Sequence, residues 1–338
     1  MKVLTISRDS NALVPGTSTF KRMEEYRRLV DELRVFVPGR NWNIFGRWDV
    51  VSSQDPFETG VIAWLLSVFF GAKLHLQIHT DFLALEFQTE SLKNKVRVML
   101  ADFLIPRADC IRVVSKRIAG SLNNRGYKMK VEPTVLPISV NLPLVEHVSD
   151  ELNLHRKYPG FETIILMASR ITHEKNISFA INAMRDVVRL FPMTGLVIVG
   201  DGEEKKNLIS HVYKYGLEKN VVFEKQVADL SPYYRTSDMF LLTSLYEGYG
   251  MTLVESALAG CPIVTTDVGL VGDLLTSDDL LVVSMLDVSD LSTKLMRLVG
   301  SVPLRHKLSE RGRLVIKRLP SKEEYLRLYK ESWQKCGV

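Results

Sequence analysis

One stretch of the sequence places glycines where they could bind an anion. It runs over residues 243–255, follows a strand-like pattern and opens a helix that the spacing predicts to begin near Met251. Gly248 and Gly250 would let backbone N–H groups approach a ligand closely. The start of the helix would direct unpaired donors and its positive dipole end to the same point. This stretch therefore predicts a phosphate site.

Two carboxylates flank the predicted phosphate site. Glu247 lies in the loop, and Glu255 lies one turn inside the helix, where it could accept hydrogen bonds from a diol such as ribose. The alternative is a pair of solvated acids near a helix start, where glutamate is stabilising in any case. The glycines between the two residues favour the functional interpretation.

A second stretch supplies fixed positive charge. Arg170 and Lys175 follow the end of a predicted strand and precede a predicted helix. Ligands of open α/β sheets bind at that end of the strands. The two cations could neutralise a leaving diphosphate, as a bound metal ion does elsewhere, although an exposed charge pair of little energetic value is the alternative. Because the sequence contains no Asp-x-Asp metal motif, we expect no metal and no other cofactor.

Together, and in the order in which they occur along the chain, the two stretches resemble family 4 of the GT-B glycosyltransferases, a retaining and metal-independent group. The resemblance covers residues from about 164 to 275. It includes the Arg-x4-Lys pair, the Glu-x7-Glu pair and the stretches 199–202 and 260–269. It implies an α/β fold of two Rossmann-like, doubly wound domains that face each other across a cleft.

The resemblance also implies roles for the matching residues. Arg170 and Lys175 would bind the donor diphosphate, Glu255 would hold the ribose hydroxyls, and Glu247 would face the transferred sugar. Without the resemblance, the glycines at 200 and 202 predict only a tight turn, since a full GxGxxG is missing. The remaining donor-binding residues that it implies are Gly200, Val227, Gly248, Tyr249, Gly250, Met251, Thr252 and Leu253.

The first half of the chain offers one further candidate, His79. The segment 77–82 resembles the histidine motif of the same family, in which the histidine ends a strand and contacts the donor sugar near the reacting carbon. A satisfied structural histidine is the alternative. The glycine-rich loop that usually follows the first strand in this family is not recognisable here, because residues 8–19 contain a single glycine, Gly16.

The hydrophobic pattern alternates between strand-like and helix-like segments, which is typical of parallel sheets covered by helices. A polar, aperiodic stretch at 143–160 predicts a domain boundary. We predict an N-terminal acceptor-side domain at 1–148 and a C-terminal nucleotide-sugar-binding domain at 149–320, with a last helix at 321–337 that packs back on the first domain. The predicted strands are 3–7, 34–37, 49–53, 74–79, 110–115 and 134–136, then 163–168, 195–199, 221–223, 239–243, 262–266 and 280–283.

Composition places the chain among soluble globular proteins. Its 338 residues are 46% hydrophobic and 25% charged. The apolar run 61–72 is too short to span a bilayer and predicts a buried helix. No signal peptide is recognisable, so we expect a cytoplasmic protein. The three cysteines are odd in number and share no CxxC spacing, which argues against a disulfide framework or a structural zinc site.

A basic segment could contact an anionic partner. Residues 91–130 have ten basic and two acidic side chains, a local charge of +8. A solvated face is one interpretation. The other is peripheral contact with an anionic membrane on its inner face, since an apolar stripe lies beside Lys93, Lys95 and Arg97. The stripe consists of Leu92, Val96, Met99, Leu100 and Phe103. Nucleic acid is disfavoured because no aromatic-interleaved basic motif accompanies these charges.

The function that these features predict is transfer of a hexose from a nucleotide-diphosphate sugar to a hydroxyl of a glycan or lipid-linked glycan, as in polysaccharide biosynthesis. The resemblance implies retention of the anomeric configuration through same-face attack. Two alternatives stay open: a nucleotide-sugar epimerase of GT-B fold, and a catalytically silent nucleotide-sugar binding protein.

Overall fold

A computed structural model describes residues 1–42, 44–140, 148–149 and 151–338. The chain folds into two compact units, Met1–Ser139 with Pro320–Val338, and Val140–Leu319. We call them unit 1 and unit 2. The division falls at 139–140 where the sequence predicts 148–149, and residues 143–147 and 150 of the predicted boundary stretch lie outside the described residues.

Unit 1 contains a six-stranded parallel sheet of order β2-β1-β3-β4-β5-β6. Each strand overlaps a predicted one, and most of the strand residues are buried. The strands are β1 Lys2–Ile6, β2 Glu32–Phe36, β3 Val50–Ser53, β4 Lys73–Ile78, β5 Cys110–Val113 and β6 Thr134–Val135.

Several helices of unit 1 begin at a capping side chain or end at a glycine. Side chains of Thr17, Ser91 and Ser115 accept a backbone N–H at three helix starts. Gly71 and Gly126 adopt the left-handed conformation just after two helices, which glycine does without steric cost. The helices are α1 Ser18–Arg27, α2 Glu58–Phe70, α3 Leu85–Glu90, α4 Leu92–Leu104 and α5 Lys116–Arg125, joined by α13 Lys322–Gln334 from the end of the chain.

Aromatic residues attach the C-terminal helix α13 to unit 1. The rings of Tyr26 and Tyr329 stack with centroids 4.1 Å apart, and the hydroxyls of Tyr26 and Tyr325 are 2.9 Å apart. Trp333 is fully buried in the same cluster. Burial of rings of this size is a large hydrophobic contribution, so α13 is an integral part of the unit 1 core.

The expectation that the cysteines form no disulfide is wrong. Cys110 in β5 and Cys336 after α13 are joined by a disulfide, with Cα atoms 4.9 Å apart. The two residues are 226 positions apart in the chain, and only the packing of α13 on the sheet brings them together. Cys261 is the free, buried cysteine.

The expectation that the apolar run 61–72 forms a buried helix is also wrong. It lies in α2, where Leu65, Val68 and Phe69 are exposed, Phe69 by 74%. Only one face of α2 packs on the sheet, and its apolar residues extend around to the solvent side. Within the described residues, no helix combines the length and apolar character needed to cross a bilayer.

Unit 2 repeats the architecture with a second six-stranded parallel sheet, of order β12-β11-β10-β7-β8-β9. Two parallel sheets with flanking helices confirm the predicted doubly wound fold. The strands are β7 Thr163–Ala168, β8 Thr194–Val199, β9 Val221–Glu224, β10 Met239–Leu242, β11 Ile263–Thr266 and β12 Leu281–Val283. The helices are α6 Leu154–Lys157, α7 Ile177–Leu190, α8 Lys205–Lys214, α9 Ser231–Thr236, α10 Met251–Ala259, α11 Val288–Val299 and α12 Val302–Ile316.

The strand order reverses once in each sheet. In unit 2 the chain passes outward from β7 to β9 and then returns to place β10 on the other side of β7. In unit 1 the corresponding reversal lies between β1 and β3. Loops diverge at such a point and leave a crevice at the carboxyl ends of the two strands, where open α/β sheets bind ligands.

Candidate active site

In unit 2 the loops after β7 and β10 both contribute to the candidate site. The amine of Lys175 is 2.5 Å from Oε1 of Glu247, and the hydroxyl of Ser244 donates to the same oxygen over 2.9 Å. The Lys175 and Glu247 side chains are only 12% and 17% exposed. The structure therefore brings together Lys175, from the stretch that supplies positive charge, and Glu247, from the glycine-containing stretch.

The backbone around Lys175 is held by residues that directly follow β10. The hydroxyl of Thr243 donates to the carbonyl oxygens of Lys175 and Asn176 over 2.9 and 3.1 Å. Asn176 adopts the left-handed conformation, with φ of 47°, immediately before α7. The backbone N–H of Leu245 donates to the backbone carbonyl oxygen of Glu174 over 2.8 Å. These bonds hold Lys175 at the mouth of the crevice between β7 and β10.

The glycine turn that precedes α10 is shaped by the stretch 260–269. Gly250 has φ of 83° and begins α10, and no side chain caps this helix start. A Cβ atom at Gly269 would lie 2.5 Å from the carbonyl oxygen of Tyr249, which accepts the N–H of Leu270. Uncapped N–H groups at a helix start are donors available to an anion. The turn thus leaves these donors beside Glu247.

The other predicted donor-binding residues lie in or close to this turn. Gly248, Tyr249 and Leu253 are buried, Thr252 is half-buried and Met251 is exposed. Their backbone, rather than most of their side chains, is in a position to meet a ligand. This arrangement fits the expectation that backbone groups support phosphate and sugar.

Glu255 projects from the first turns of α10 and is held by a residue that the sequence did not indicate. The hydroxyl of Tyr234, from α9, donates to Oε2 of Glu255 over 2.9 Å. Burial raises the pKa of Glu255, and the nearby Asp229 raises it further. The other carboxylate oxygen of Glu255 has no hydrogen bond among the described residues, so it can accept one from a ligand hydroxyl.

Arg170 is arranged differently from Lys175. Its side chain is 75% exposed and pairs with Glu174 over 2.9 Å, rather than with the glycine turn. Glu174 itself is buried. Arg170 thus pairs with Glu174, and Lys175 is the cation that pairs with Glu247 among the described residues.

Gly200 lies where two loops of unit 2 pass each other. A Cβ atom at Gly200 would be 1.9 Å from the carbonyl oxygen of Ser169, and one at Gly202 would be 2.2 Å from that of Ile171. The N–H of Ile171 donates to Asp201 over 2.8 Å. These glycines allow the loop after β8 to pack against the loop that contains Arg170.

The two remaining candidates belong to other segments of the chain. Val227 is half-buried in the loop that follows β9. His79 belongs to unit 1 and follows β4. Burial and the positive charges of Arg112 and Arg22 lower the pKa of His79 to about 3, so it is neutral near pH 7.

Sequence reasoning missed the residues that hold the catalytic candidates in place. Tyr234, Ser244 and Glu174 each bond a predicted site residue. Ser244 and Glu174 lie within the stretches 243–255 and 170–175, so their closeness in sequence to the predicted site residues could have suggested them. Tyr234 comes from α9 and carried no signal, because its meeting with Glu255 depends on how α9 packs against α10.

The profile of the family described as Glycosyl transferases group 1 matches residues 154–315. The chain is 26% identical over 236 residues to alpha-monoglucosyldiacylglycerol synthase of Streptococcus pneumoniae, which covers 64% of this chain and 51% of that protein. It is 23% identical over 221 residues to lipopolysaccharide core biosynthesis mannosyltransferase LpsB of Rhizobium meliloti, which covers 60% and 61%. The chain spans about half the length of the first of these relatives.

Solved structures with a similar fold cover the whole chain. Sucrose-phosphate synthase from Thermosynechococcus elongatus aligns with a TM-score of 0.81 and 17% identity over 98% of both chains. HepE of Anabaena, in complex with UDP and glucose, aligns with a TM-score of 0.78 and 16% identity over 99% of both chains. The shared fold is that of the GT-B glycosyltransferases.

Proposed function

We propose that this protein transfers a hexose from a nucleotide-diphosphate sugar to a hydroxyl acceptor, because residues 154–315 match the profile of the group 1 glycosyltransferases and the chain has the GT-B fold. The observation that supports this most strongly is the meeting of Lys175, Glu247 and the uncapped start of α10 at the reversal point of unit 2. The relatives named for glycolipid and lipopolysaccharide synthesis favour a lipid-linked or glycan acceptor.

We assign the binding of the donor diphosphate to Lys175 and the N–H groups at the start of α10. In the free protein, the charge of Lys175 is offset by Glu247. A diphosphate that entered the site would take over one or more of the Lys175 hydrogen bonds, and the Glu247 carboxylate would then be available to a sugar hydroxyl. Arg170, whose side chain is 75% exposed, would turn from Glu174 to the diphosphate and add a second cation.

In the proposed reaction, the bond between the anomeric carbon and the diphosphate oxygen breaks, and positive charge develops on the sugar ring. Lys175 and the start of α10 stabilise the negative charge that builds up on the leaving diphosphate. The acceptor oxygen attacks the same face of the ring, and its proton passes to the leaving phosphate. The configuration is therefore retained, and no side chain serves as a nucleophile.

Metal independence is part of the same proposal. Cationic side chains and backbone N–H donors would stabilise the negative charge on the leaving diphosphate, which a metal ion does in other transferases. Glu255 would accept hydrogen bonds from the ribose hydroxyls through the oxygen that Tyr234 leaves open. The role of His79 towards the donor sugar stays a prediction from its motif.

We also propose peripheral contact with an anionic membrane through α2 and α4 of unit 1. Exposed apolar side chains lie on both helices, and Trp64 of α2 touches Phe103 of α4 with ring centroids 5.1 Å apart. Lys93 and Lys95 are exposed beside them. Such a combination suits an anionic bilayer. The exposed apolar residues are Leu65, Val68, Phe69, Leu92, Val96, Met99 and Phe103. Arg112 does not belong to this surface, because it is buried in β5.

The membrane contact can be tested by sedimentation with phosphatidylglycerol vesicles. Replacing Leu92 and Met99 by glutamate should release the protein from the vesicles. The control replaces Leu190 and Met193, exposed apolar residues of unit 2, by glutamate and should leave binding unchanged. Equal binding of both double variants, or no preference for anionic over neutral vesicles, would remove this part of the proposal.

The proposed activity is tested by product analysis of UDP-glucose, GDP-mannose and ADP-glucose, each with and without diacylglycerol in vesicles. Mass spectrometry should detect a glycosylated lipid, or slow release of free sugar and nucleoside diphosphate to water, that depends on Lys175. Formation of a new nucleotide sugar without acceptor would indicate an epimerase instead. Tight donor binding with neither product would indicate a silent binding protein.

A further inference from the structure

Unit 1 contains a cavity of about 340 Å³ that is lined by residues of this unit alone. It lies at the carboxyl ends of β1 and β3, where the strand order of this sheet reverses, and extends to β4, α1 and α13. Its polar lining includes Arg8, Arg22, Gln54, Asp55, His79 and Arg112. Both its place in the sheet and its size are typical of a ligand site.

The least expected group in this cavity is Arg112. Its side chain is 1% exposed, yet no carboxylate of the described residues pairs with it. Its guanidinium donates to Oε1 of Gln77 over 2.8 Å and to the carbonyl oxygen of Leu136 over 3.1 Å, and it lies 4.8 Å from the centre of the Tyr329 ring. Its Nε is buried without a partner. A buried cation held only by neutral groups is costly unless a counter-charge arrives.

The other charges of the cavity do not supply that counter-charge. Arg22 lines the cavity from α1 and has no ion-pair partner among the described residues. One carboxylate oxygen of Asp9 accepts the N–H of Asn11 and the other accepts the hydroxyl of Thr19, so both oxygens already have a donor. Asp55 accepts the N–H of Phe57 and lies 3.7 Å from Arg8.

The charges that line the cavity therefore favour an anion. Three arginines and two aspartates give a formal charge of +1, and the two arginines without a carboxylate partner are Arg22 and Arg112. His79 is neutral and offers a hydrogen bond rather than a charge. A guanidinium presents a fork of N–H groups that matches a phosphate or carboxylate.

We propose that this cavity binds an oxyanionic group of the acceptor, a phosphate or a carboxylate, with Arg22 and Arg112 as its cationic ligands. The identification of the ligand as the acceptor rests on the proposed transferase function, in which unit 2 holds the donor. The existence of the anion site does not rest on it, because it is argued from the residues of unit 1 alone.

The anion site is tested by calorimetric titration of the full chain with inorganic phosphate. Arg22→Gln should weaken phosphate binding about 10-fold or more, since a charge-assisted hydrogen bond is lost. Arg22 is exposed, so this variant should fold. The matched control is Arg28→Gln, an exposed arginine at the end of the same helix that does not line the cavity, and it should bind phosphate like the wild type.

Lys175→Met separates this site from the proposed diphosphate site of unit 2. Phosphate binding that survives Lys175→Met and weakens in Arg22→Gln supports the inference. Loss of phosphate binding in Lys175→Met, equal binding by Arg22→Gln and wild type, or no binding by the wild type would overturn it. Acetate and methyl phosphate as competitors distinguish a carboxylate site from a phosphate site.

The acceptor assignment is tested by transfer kinetics with glucose, glucuronate and glucose 6-phosphate as probes. An anionic probe should have the higher kcat/KM, and Arg22→Gln should raise KM for that probe alone. Equal transfer to all three, with KM unchanged in Arg22→Gln, would overturn the assignment and leave the transferase function standing. Phosphate binding at Arg22 without transfer from any donor would refute the transferase function and leave the anion site standing.

Discussion

The reversal points of the two sheets share a topology but differ in chemistry. In unit 2, the loops after β7 and β10 present a glycine turn, an uncapped helix start and Lys175 paired with Glu247. In unit 1, the loops after β1 and β3 surround a cavity in which Arg22 and Arg112 have no carboxylate partner. The same topology therefore combines backbone donors with a carboxylate-paired lysine in unit 2 and presents arginines without a carboxylate partner in unit 1.

Burial also acts on opposite kinds of group in the two units. In unit 1 it lowers the pKa values of His75 and His79 to about 3, with Arg112 adding to the effect. In unit 2 it raises the pKa of Glu255. Burial favours the neutral form in each case, but acid has different consequences: it should destabilise unit 1 and weaken ligand binding by unit 2.

The largest effect should come from Lys175→Met. Removing the cation beside the proposed diphosphate should lower the transfer rate by about 10²- to 10³-fold, the usual cost of losing one preorganised electrostatic contact to the leaving group. The measurement is steady-state transfer or donor hydrolysis. Lys206→Met, an exposed lysine of α8, is the control and should keep wild-type rates.

A folding defect could imitate this result, because Lys175→Met leaves Glu247 without its partner. The double variant Lys175→Met/Glu247→Gln removes both charges and relieves that cost. It should remain inactive. Recovery of activity in the double variant would contradict a direct role of Lys175 in phosphate binding.

Gly269→Ala should have the next largest effect. Its Cβ would lie 2.5 Å from the carbonyl oxygen of Tyr249, and its φ of 59° is strained for alanine. The turn before α10 must then shift, and we expect donor binding to weaken by about 100-fold, with about 1–3 kcal/mol of the stability lost to backbone strain. Calorimetry with UDP-glucose, GDP-mannose and ADP-glucose measures the first effect and thermal unfolding the second.

Gly216→Ala is the control that distinguishes backbone strain at a positive φ from a steric clash of the new Cβ atom. Gly216 has φ of 65° but open space around its missing Cβ. This variant should lose similar stability without losing donor affinity. If both glycine variants weaken donor binding equally, the shape of the turn is not what matters.

Glu255→Gln should weaken donor binding by about 10-fold, because a charged acceptor for the ribose hydroxyls becomes a neutral one. The wild type should also lose donor affinity as the pH falls through the raised pKa of Glu255, above the ordinary value of 4.5, since only the carboxylate accepts from both hydroxyls. The variant should lack this pH step. Calorimetric titrations between pH 5 and 8 compare the two, and an identical pH profile would contradict the ribose assignment.

The smallest effect concerns acid stability in unit 1. His75 is fully buried, and burial and the charge of Arg112 lower its pKa from 6.5 to about 3. The unfolded chain therefore takes up this proton first, and stability that is complete above pH 6.5 falls as the pH drops towards 3. The loss is about 1.4 kcal/mol for each pH unit below 6.5.

His75→Asn should remove that contribution. Hydrogen exchange of peptides from β3 and β4 at pH 7 and pH 5.5 should show a smaller loss of protection in the variant than in the wild type. His306→Asn, an exposed position in α12, provides the control. An unchanged pH dependence in His75→Asn would mean that other groups dominate acid unfolding.

The sequence predicted the fold well because parallel sheets leave a strong pattern of buried strands. All twelve strands overlap predicted segments, and α10 begins at Met251 as its glycines indicated. The predictions failed where long-range packing decides. Neither the disulfide between Cys110 and Cys336 nor the buried position of Arg112 has a local signal, because α13 creates both environments from the far end of the chain.

Part of the candidate site was also predictable, because the topology of a parallel sheet places its loops. Lys175 and Glu247 follow two strands that flank the reversal point, so topology alone brings them together. The hydrogen bond between Tyr234 and Glu255 depends on the packing of a short helix, α9, and no residue spacing in the sequence predicts it. The pairing of Arg170 with Glu174 likewise depends on the conformation of the Arg170 side chain, which the sequence does not specify.

The central claim is that Lys175 and the start of α10 bind the diphosphate of a sugar donor. The most direct test is calorimetric titration of the wild type and Lys175→Met with UDP, GDP and ADP. The account predicts that at least one of these nucleotides binds the wild type with a stoichiometry of one, and that Lys175→Met weakens this binding by about 10-fold or more. Equal affinity of both proteins, or no binding of any of the three nucleotides, would contradict it.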